Sequence, residues 1–143
     1  MKTILSLYFA GSIRGAEADR ETYLQIIEEL KKRYNVLTEH VGSEKMINDE
    51  NKLTDKEIEA RDMKWIREAD FVVAEVTSPS HGVGIELNEA KNLGKPVICI
   101  HRNNGKRISA MIAGNDHFII SPYDTVEEVV SVIDAFARIL AKS

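Results

Sequence analysis

Runs of apolar residues alternate along the chain with stretches in which apolar residues return every three or four positions. The runs are short and continuous, which predicts β-strands at Thr3–Phe9, Val36–Thr38, Phe71–Val76, Val97–His101 and His117–Ile120. The periodic stretches predict helices at about Ala18–Tyr34, Thr54–Ala69 and Ile85–Leu93, and a closing helix that follows Asp124. This alternation predicts an α/β fold with a five-stranded parallel sheet that has helices on both faces.

Local signals indicate where some of these elements begin and end. Thr54 and Glu57 have the spacing of a capping box, and Gly94 followed by Pro96 is typical of a helix end. The polar stretch Val41–Leu53 has no clear period and predicts a long loop. Ligands of parallel sheets bind at the carboxyl ends of the strands, near the switch in strand order. We therefore expect the ends of the first and third strands to carry the functional site.

Composition limits the class of protein. At 143 residues with 43% apolar residues, the chain (residues 1–143) is expected to form one folded domain. A formal charge of −4 without a basic run argues against a nucleic-acid partner, and the N-terminal apolar run is too short for a signal peptide. The single cysteine, Cys99, fits a cytoplasmic protein without disulfides. The four histidines lack metal-ligand spacing, so neither metal nor cofactor is expected; they are His40, His81, His101 and His117.

The segment Pro79–Glu86 is the most informative part of the sequence. It follows an apolar strand and combines Ser80, Gly82 and Gly84 with a carboxylate, Glu86. Small residues before a helix can form a phosphate-sized cradle of backbone N–H groups and hydroxyls, and we expect Glu86 in the first helical turn. The alternative is that Glu86 only satisfies a helix N-terminus.

The loop after the first strand has similar chemistry. Tyr8–Gly15 contains two glycines that permit close backbone approach, the hydroxyl of Ser12 and the guanidinium of Arg14. An ordinary strand-to-helix turn with a solvated arginine would also explain this loop. Two such loops at neighbouring strand ends are harder to explain in this way than either loop alone.

Asp62 provides a second carboxylate. It lies four residues after Ile58 and four before Ile66, which places it on the buried face of its helix unless it reaches solvent at the edge of that face. Glu86 and Asp62 in one pocket would form the carboxylate pair that glycosidic cleavage uses. The dinucleotide-binding fingerprint lacks its third glycine, where Leu87 stands, and neither a phosphate-loop lysine motif nor a nucleophile elbow is present.

With these residues assembled, the chain resembles the 2'-deoxynucleoside 5'-phosphate N-hydrolases of the wider nucleoside 2-deoxyribosyltransferase superfamily. The resemblance runs from Tyr8 to about Asp116 and rests on several blocks in the same order and at similar spacing. These blocks are Tyr8–Gly15, Leu37–Val41, Asp62 with Trp65, Ala69–Thr77, Pro79-Ser80 with Gly82–Leu87, and Ser109–Ile112.

The resemblance implies a flavodoxin-like (Rossmann-like) sheet, a homodimer, and hydrolysis of the N-glycosidic bond of 2'-deoxynucleoside 5'-monophosphates. Glu86 would be the nucleophile that forms a covalent glycosyl intermediate, Asp62 would contact the sugar and transfer protons, and Tyr8 would orient Glu86. The residues that would hold the phosphate are Ser12, Ile13, Arg14, Gly15, Ser80, Gly82 and, from the neighbouring subunit, Ser109.

Some positions leave the substrate open. His81 stands where relatives often have an apolar residue, and the variable stretch Gly42–Lys52 would border the base. The alternatives are a nucleoside 2-deoxyribosyltransferase, a CMP-type ribonucleotide N-glycosidase, and a nucleotide-binding module without catalysis. The phosphate-binding set argues against the transferase, which needs to recognise only a 5'-hydroxyl. A binding module has no need for both Glu86 and Asp62.

Overall fold

The computed structural model describes residues 4–12, 17–39 and 52–142, without the side chains of residues 17–19. Its five strands are β1 (Ser6–Ala10), β2 (Asn35–Leu37), β3 (Phe71–Glu75), β4 (Val97–Arg102) and β5 (Phe118–Tyr123). They form one parallel sheet in the order β2-β1-β3-β4-β5. From β1 the chain adds β2 on one side and then β3 on the other side. The order in which strands are added therefore reverses between β1 and β3, and the ends of these two strands flank the switch point. The α/β, flavodoxin-like fold predicted from the sequence is confirmed.

Helices cover both faces of this sheet. They are α1 (Glu17–Lys31), α2 (Asp55–Glu68), α3 (His81–Asn92), α4 (Ala110–Ala113) and α5 (Val126–Ala141). Because strand side chains alternate, β1 directs Phe9 into the core beneath α1 and α5, and Tyr8 into the core beneath α2 and α3. Both side chains are fully buried. Residues on the Tyr8 face therefore reach the same layer as the helices that carry Asp62 and Glu86.

The capping signals behave as expected. Thr54 and Glu57 form a reciprocal capping box at the start of α2, and Thr125 caps α5 by accepting from the backbone N–H of Glu128. Gly94 follows the end of α3 with a φ of +70°, a left-handed conformation in which glycine has no side chain to strain. The first and last of these interactions fix the start of α2 and the end of α3, the two helices that carry Asp62 and Glu86.

Several boundaries differ from the predictions. Helix α3 begins at His81 rather than at Ile85, because the hydroxyl of Ser80 caps it. Strand β5 continues past Ile120 through Pro122, which an edge strand tolerates; among the described strands, β5 pairs with β4 alone. The short helix α4 was not predicted. The predicted loop Val41–Leu53 lies outside the described residues except for its last two.

The end of α1 is fastened to α5 through a buried carboxylate. α1 ends at Lys31, earlier than predicted, but Tyr34 still donates to Asp134 Oδ1 at 2.5 Å, and Arg33 donates to the other oxygen. Asp134 is buried, so its two partners supply the hydrogen bonds that burial would otherwise remove. This contact lies on the face of the sheet opposite α2 and α3. Within the described part of the chain, no helix has the length and apolar content needed to cross a bilayer.

Candidate functional site

The connection from β3 to α3 places Ser80 at the helix N-terminus. Its Oγ accepts the backbone N–H of Val83 at 3.3 Å. Gly82 stands in the first turn, where a Cβ atom would lie 3.9 Å from both Glu86 Oε1 and Ser80 Oγ. Gly82 therefore leaves open space beside the carboxylate and the hydroxyl. The expectation that Glu86 lies in the first turn is wrong, because the helix begins four residues earlier and puts Glu86 in its second turn.

Glu86 is a buried carboxylate held by a buried tyrosine. Its side chain points into the layer between α3 and the sheet, where Tyr8 donates its hydroxyl hydrogen to Oε2. Burial raises the pKa of Glu86 from 4.5 to about 7, while the hydrogen bond from Tyr8 opposes this rise. The value of about 7 also includes the negative charge of Asp62, which raises the pKa, and the guanidinium of Arg61, which lowers it. The carboxyl group thus titrates near neutral pH.

Tyr8 remains a hydrogen-bond donor throughout the physiological range. Burial raises the pKa of its hydroxyl well above the ordinary 10, and the charges of Glu86 and Asp62 raise it further. Since the hydroxyl keeps its hydrogen, it can orient one carboxylate oxygen of Glu86 without accepting a proton from it. The ring of Tyr8 also lies 6.3 Å from the ring of Trp65, centroid to centroid, which supports it from the α2 side.

Three carboxylates converge beside Tyr8. One oxygen each of Glu39, Asp62 and Glu86 lies within 4.8 Å of the other two. Asp62 is buried, so its sequence-predicted position on the inner face of α2 is confirmed. Carboxylates at this distance repel one another unless protons or cations are shared among them. Among the described residues, these three are also the group whose oxygens could hold a metal ion.

Arg61 supplies positive charge to this cluster. It donates to Asp62 Oδ1 at 3.0 Å and to Glu39 Oε2 at 3.3 Å, and its guanidinium lies 4.6 Å from the centre of the Trp65 ring. The guanidinium of Arg61 therefore already supplies positive charge to Asp62 and Glu39, as a bound metal ion would do. Sequence reasoning missed Arg61 and gave Glu39 no role. The only signals were that Arg61 adjoins Asp62 and that Glu39 follows the second strand.

A cavity of about 410 Å³ opens above Glu86 at the switch point. Its lining comes from the ends of β1 and β2 and from the β3–α3 connection: Gly11, Ser12, Glu39, Pro79, Ser80, His81, Gly82, Val83 and Glu86. The structure thus brings Ser12, Ser80 and Gly82 together with Glu86, as predicted. Ile13, Arg14 and Gly15 lie outside the described residues. His81 is at the exposed rim, although it belongs to α3 and not to a loop.

Ser109 is not part of the lining of that cavity. It caps α4 by accepting the backbone N–H of Met111 at 3.3 Å, and it lines a separate groove of about 490 Å³. Four residues line both cavities: Pro79, Ser80, His81 and Val83. Within one chain, therefore, Ser109 lies beyond the β3–α3 connection from Glu86.

Comparison with known proteins identifies the family of this site. The family model described as nucleoside 2-deoxyribosyltransferase matches residues 7–128, which include every described residue of the site. The chain belongs to this family. In this chain the carboxylate cluster lies at the switch point of the sheet, which agrees with the fold-level expectation for the position of the site.

Individual relatives refine this comparison. A 5-hydroxymethyl-dUMP N-hydrolase of Tetraodon nigroviridis is 42% identical over 134 residues, covering 88% of this chain and 94% of the relative. A putative 2'-deoxynucleoside 5'-phosphate N-hydrolase 1 of Trichoplax adhaerens is 44% identical, covering 92% of each. The solved 2-deoxyribosyltransferase of Bacillus psychrosaccharolyticus is 18% identical with a TM-score of 0.58, covering 87% of this chain and 89% of that one. At that identity, the structural likeness concerns the fold.

Proposed function

We propose that this protein hydrolyses the N-glycosidic bond of 2'-deoxynucleoside 5'-monophosphates, releasing the free base and 2-deoxyribose 5-phosphate. The observation that carries the proposal is the buried Glu86, which is held by Tyr8, lies close to Asp62, and lines a cavity together with Ser12 and Ser80. Relatives at 42% and 44% identity are named as N-hydrolases of such nucleotides. The carboxylates supply the chemistry that those names describe.

Glu86 acts as the nucleophile in this proposal. Tyr8 donates to Oε2, and Oε1 faces the open space beside Gly82, so Oε1 attacks C1' of the deoxyribose. The C1'–N bond breaks with its electron pair moving to the base, and an ester forms between Glu86 and C1'. Water then cleaves this ester and restores the carboxylate. The spacing supports two steps, because carboxylates within about 5 Å are typical of double displacement, whereas a single displacement by water needs more room.

Asp62 contacts the sugar and transfers protons in both steps. When Asp62 carries a proton shared within the carboxylate cluster, it donates that proton to the departing base, and the carboxylate so formed then removes a proton from the attacking water. The transition state carries positive charge on the sugar ring, which the surrounding carboxylates stabilise inside a buried site. A 2'-deoxy sugar has no electron-withdrawing 2'-hydroxyl, so this cation forms more readily than it does from a ribonucleotide.

The 5'-phosphate binds in the part of the cavity that is lined by Ser12, Ser80 and Gly82. Ser12 and Ser80 provide hydroxyl donors, and the Gly82 N–H lies in the first turn of α3, where backbone N–H groups favour an anion. We include Ile13, Arg14 and Gly15 on the strength of the sequence resemblance. A phosphate that is held away from the reacting C1' atom positions the sugar and contributes binding energy to the reacting centre.

A panel of substrates tests the proposed activity. Purified protein is incubated with dGMP, dCMP, dUMP, GMP, CMP and deoxyguanosine, and chromatography measures the free base. We expect base release from the deoxynucleoside monophosphates only. Release only from a ribonucleotide would change the substrate class. Release that requires a second free base would indicate sugar transfer, and tight binding without product would indicate a binding module.

We also propose a cytoplasmic homodimer in which Ser109 completes the partner's phosphate site. Ser109 lies in the groove beyond Ser80, and Met111, two residues later, is 83% exposed and offers an apolar contact surface. A second copy that covers this surface would bring a Ser109 hydroxyl towards a neighbouring site. The cytoplasmic assignment rests on the single cysteine, Cys99, which is buried and cannot form an intramolecular disulfide.

Mixing two defective variants tests the shared site. Glu86→Gln removes the nucleophile, and Ser109→Asp keeps a good helix cap while placing negative charge against the phosphate. A mixed dimer would contain one intact site, so an equimolar mixture that exchanges subunits should recover about a quarter of wild-type activity. Recovery no greater than the sum of the separate variants, with exchange verified by mass spectrometry, would contradict the shared site.

A further inference from the structure

Glu75 is a second buried carboxylate at the switch point that the proposed chemistry does not use. It is the last residue of β3 and is 1% exposed, and its side chain enters the layer beneath α1 and α5, opposite Glu86. A carboxylate buried so completely requires hydrogen-bond donors to compensate for the lost water. The residues that supply these donors are the ones whose positions Glu75 fixes.

Two of the three donors belong to the same residue, Thr77. The backbone N–H of Thr77 donates to Glu75 Oε1 at 2.7 Å, and its hydroxyl donates to Oε2 at 2.8 Å. The third donor is the hydroxyl of Tyr123 on β5, at 2.5 Å from Oε2. Burial and the contact with Glu75 both raise the pKa of Tyr123, which keeps this hydroxyl protonated.

Thr77 is in turn connected to the neighbouring strand and helix. Its Oγ1 accepts the backbone N–H of Arg102 at 2.9 Å, and the guanidinium of Arg102 donates to Thr22 Oγ1 on α1 at 2.7 Å. The backbone N–H of Thr77 therefore donates a hydrogen bond, and its hydroxyl both donates and accepts one. All of these partners belong to strands of the sheet. Its position is defined by β3, β4 and β5 together.

Thr77 begins the short connection that carries the phosphate-binding groups. Ser80 follows three residues later and caps α3, and Gly82 stands in the first turn of that helix. The connection is too short to absorb a displacement at its start. A shift of Thr77 would therefore move the Ser80 hydroxyl and the Gly82 N–H relative to the cavity.

We propose that Glu75 is a positioning residue for the phosphate end of the site, acting through Thr77 on Ser80 and Gly82. This inference rests on the proposed function for the identity of the ligand. It assigns the two faces of the sheet different tasks. Carboxylates on the α2–α3 face act on the sugar, and the carboxylate on the α1–α5 face sets the donors that hold the phosphate.

The variant Glu75→Gln tests this assignment because it keeps the shape of the side chain but replaces one carboxylate oxygen with an NH₂ group. That group cannot accept the hydrogen bonds that Thr77 and Tyr123 donate to Glu75 in the wild-type protein. We expect the Kd of 2-deoxyribose 5-phosphate to rise roughly tenfold or more, as small misplacements of donors are costly. The Kd of deoxyuridine, which has no phosphate, should stay within about twofold. In turnover assays KM for dUMP should rise more than kcat falls. Tyr123→Phe should produce a smaller change in the same direction.

Asp134→Asn is the matched control. It changes a buried carboxylate in the same layer that also accepts from a tyrosine, but its partners Arg33 and Tyr34 lie away from the β3–α3 connection. It should lower the melting temperature without changing the ratio of the two dissociation constants. An equal loss of deoxyuridine binding in Glu75→Gln, or no loss of either ligand, would overturn the positioning role.

The outcome separates this inference from the proposed function. Calorimetry reports ligand binding whether or not base is released. Wild-type protein that binds 2-deoxyribose 5-phosphate without hydrolysing any nucleotide would refute the enzyme while leaving the positioning role to be decided by Glu75→Gln. Wild-type protein that hydrolyses nucleotides, with a Glu75→Gln variant of unchanged phosphate selectivity, would refute the positioning role alone.

Discussion

Replacing Glu86 with glutamine should lower kcat for base release by on the order of 10³-fold or more while leaving nucleotide binding in place. Glutamine has the shape of glutamate and can still accept the hydrogen bond from Tyr8. An amide oxygen, however, is too weak a nucleophile to form the sugar ester. Single-turnover incubation with dUMP, followed by chromatography of the released base, measures the loss, and calorimetry with the same nucleotide measures binding.

Glu89→Gln is the control for this substitution, since it makes the same chemical change on the same helix without belonging to the carboxylate cluster. Its kcat should remain within about twofold of the wild-type value. A Glu86→Gln variant that retains more than about a tenth of wild-type turnover would show that another group attacks the sugar. Loss of binding together with turnover would instead assign Glu86 a role in holding the nucleotide.

The rate should depend steeply on pH. Because burial raises the pKa of Glu86 to about 7, the carboxylate that attacks the sugar is the minor form below neutrality. We expect kcat/KM to fall about tenfold for each pH unit below 7, because the nucleophile becomes protonated. The profile is measured with dUMP from pH 5 to 9, and the fluorescence of Trp65 at each pH verifies that the protein is folded.

Tyr8→Phe distinguishes titration of Glu86 from titration of the substrate phosphate, whose second pKa is near 6. The hydrogen bond from Tyr8 stabilises the ionised carboxylate and so lowers the pKa of Glu86. Its removal should move the acid limb of the profile to higher pH. A substrate titration would stay where it was. An unchanged limb in Tyr8→Phe would therefore mean that Glu86 does not control the profile.

Much of the fold follows from apolar patterning. The central strand β3 lies at Phe71–Glu75, within one residue of its prediction, because buried parallel strands are continuous apolar runs. Helix α3 was predicted to start late because Gly82 and Gly84 are poor helix formers and resemble a loop. The cap at Ser80 outweighs that propensity. Helix α4 has only four residues, which is too short to show a period.

The site was predictable only in part, because several of its contacts join residues that are far apart in the sequence. Helical spacing placed Asp62 on an inner face, and the position of Glu86 in its segment suggested a functional carboxylate. The bond between Tyr8 and Glu86 joins residues 78 positions apart, so the sequence resemblance implied it and local patterning did not. Arg61 and Glu39 were missed because their importance arises from a contact between α2 and the segment that follows β2, which no local pattern encodes.

The hydroxyl that caps α3 has a further property. An alcohol has two lone pairs and one hydrogen, and at Ser80 a lone pair accepts from Val83 N–H, so the hydrogen remains for donation into the cavity. Accepting a hydrogen bond polarises the O–H group and strengthens it as a donor. Formation of α3 also fixes the rotamer of this side chain. The entropy of ordering this donor is therefore lost when the protein folds and not when the nucleotide arrives.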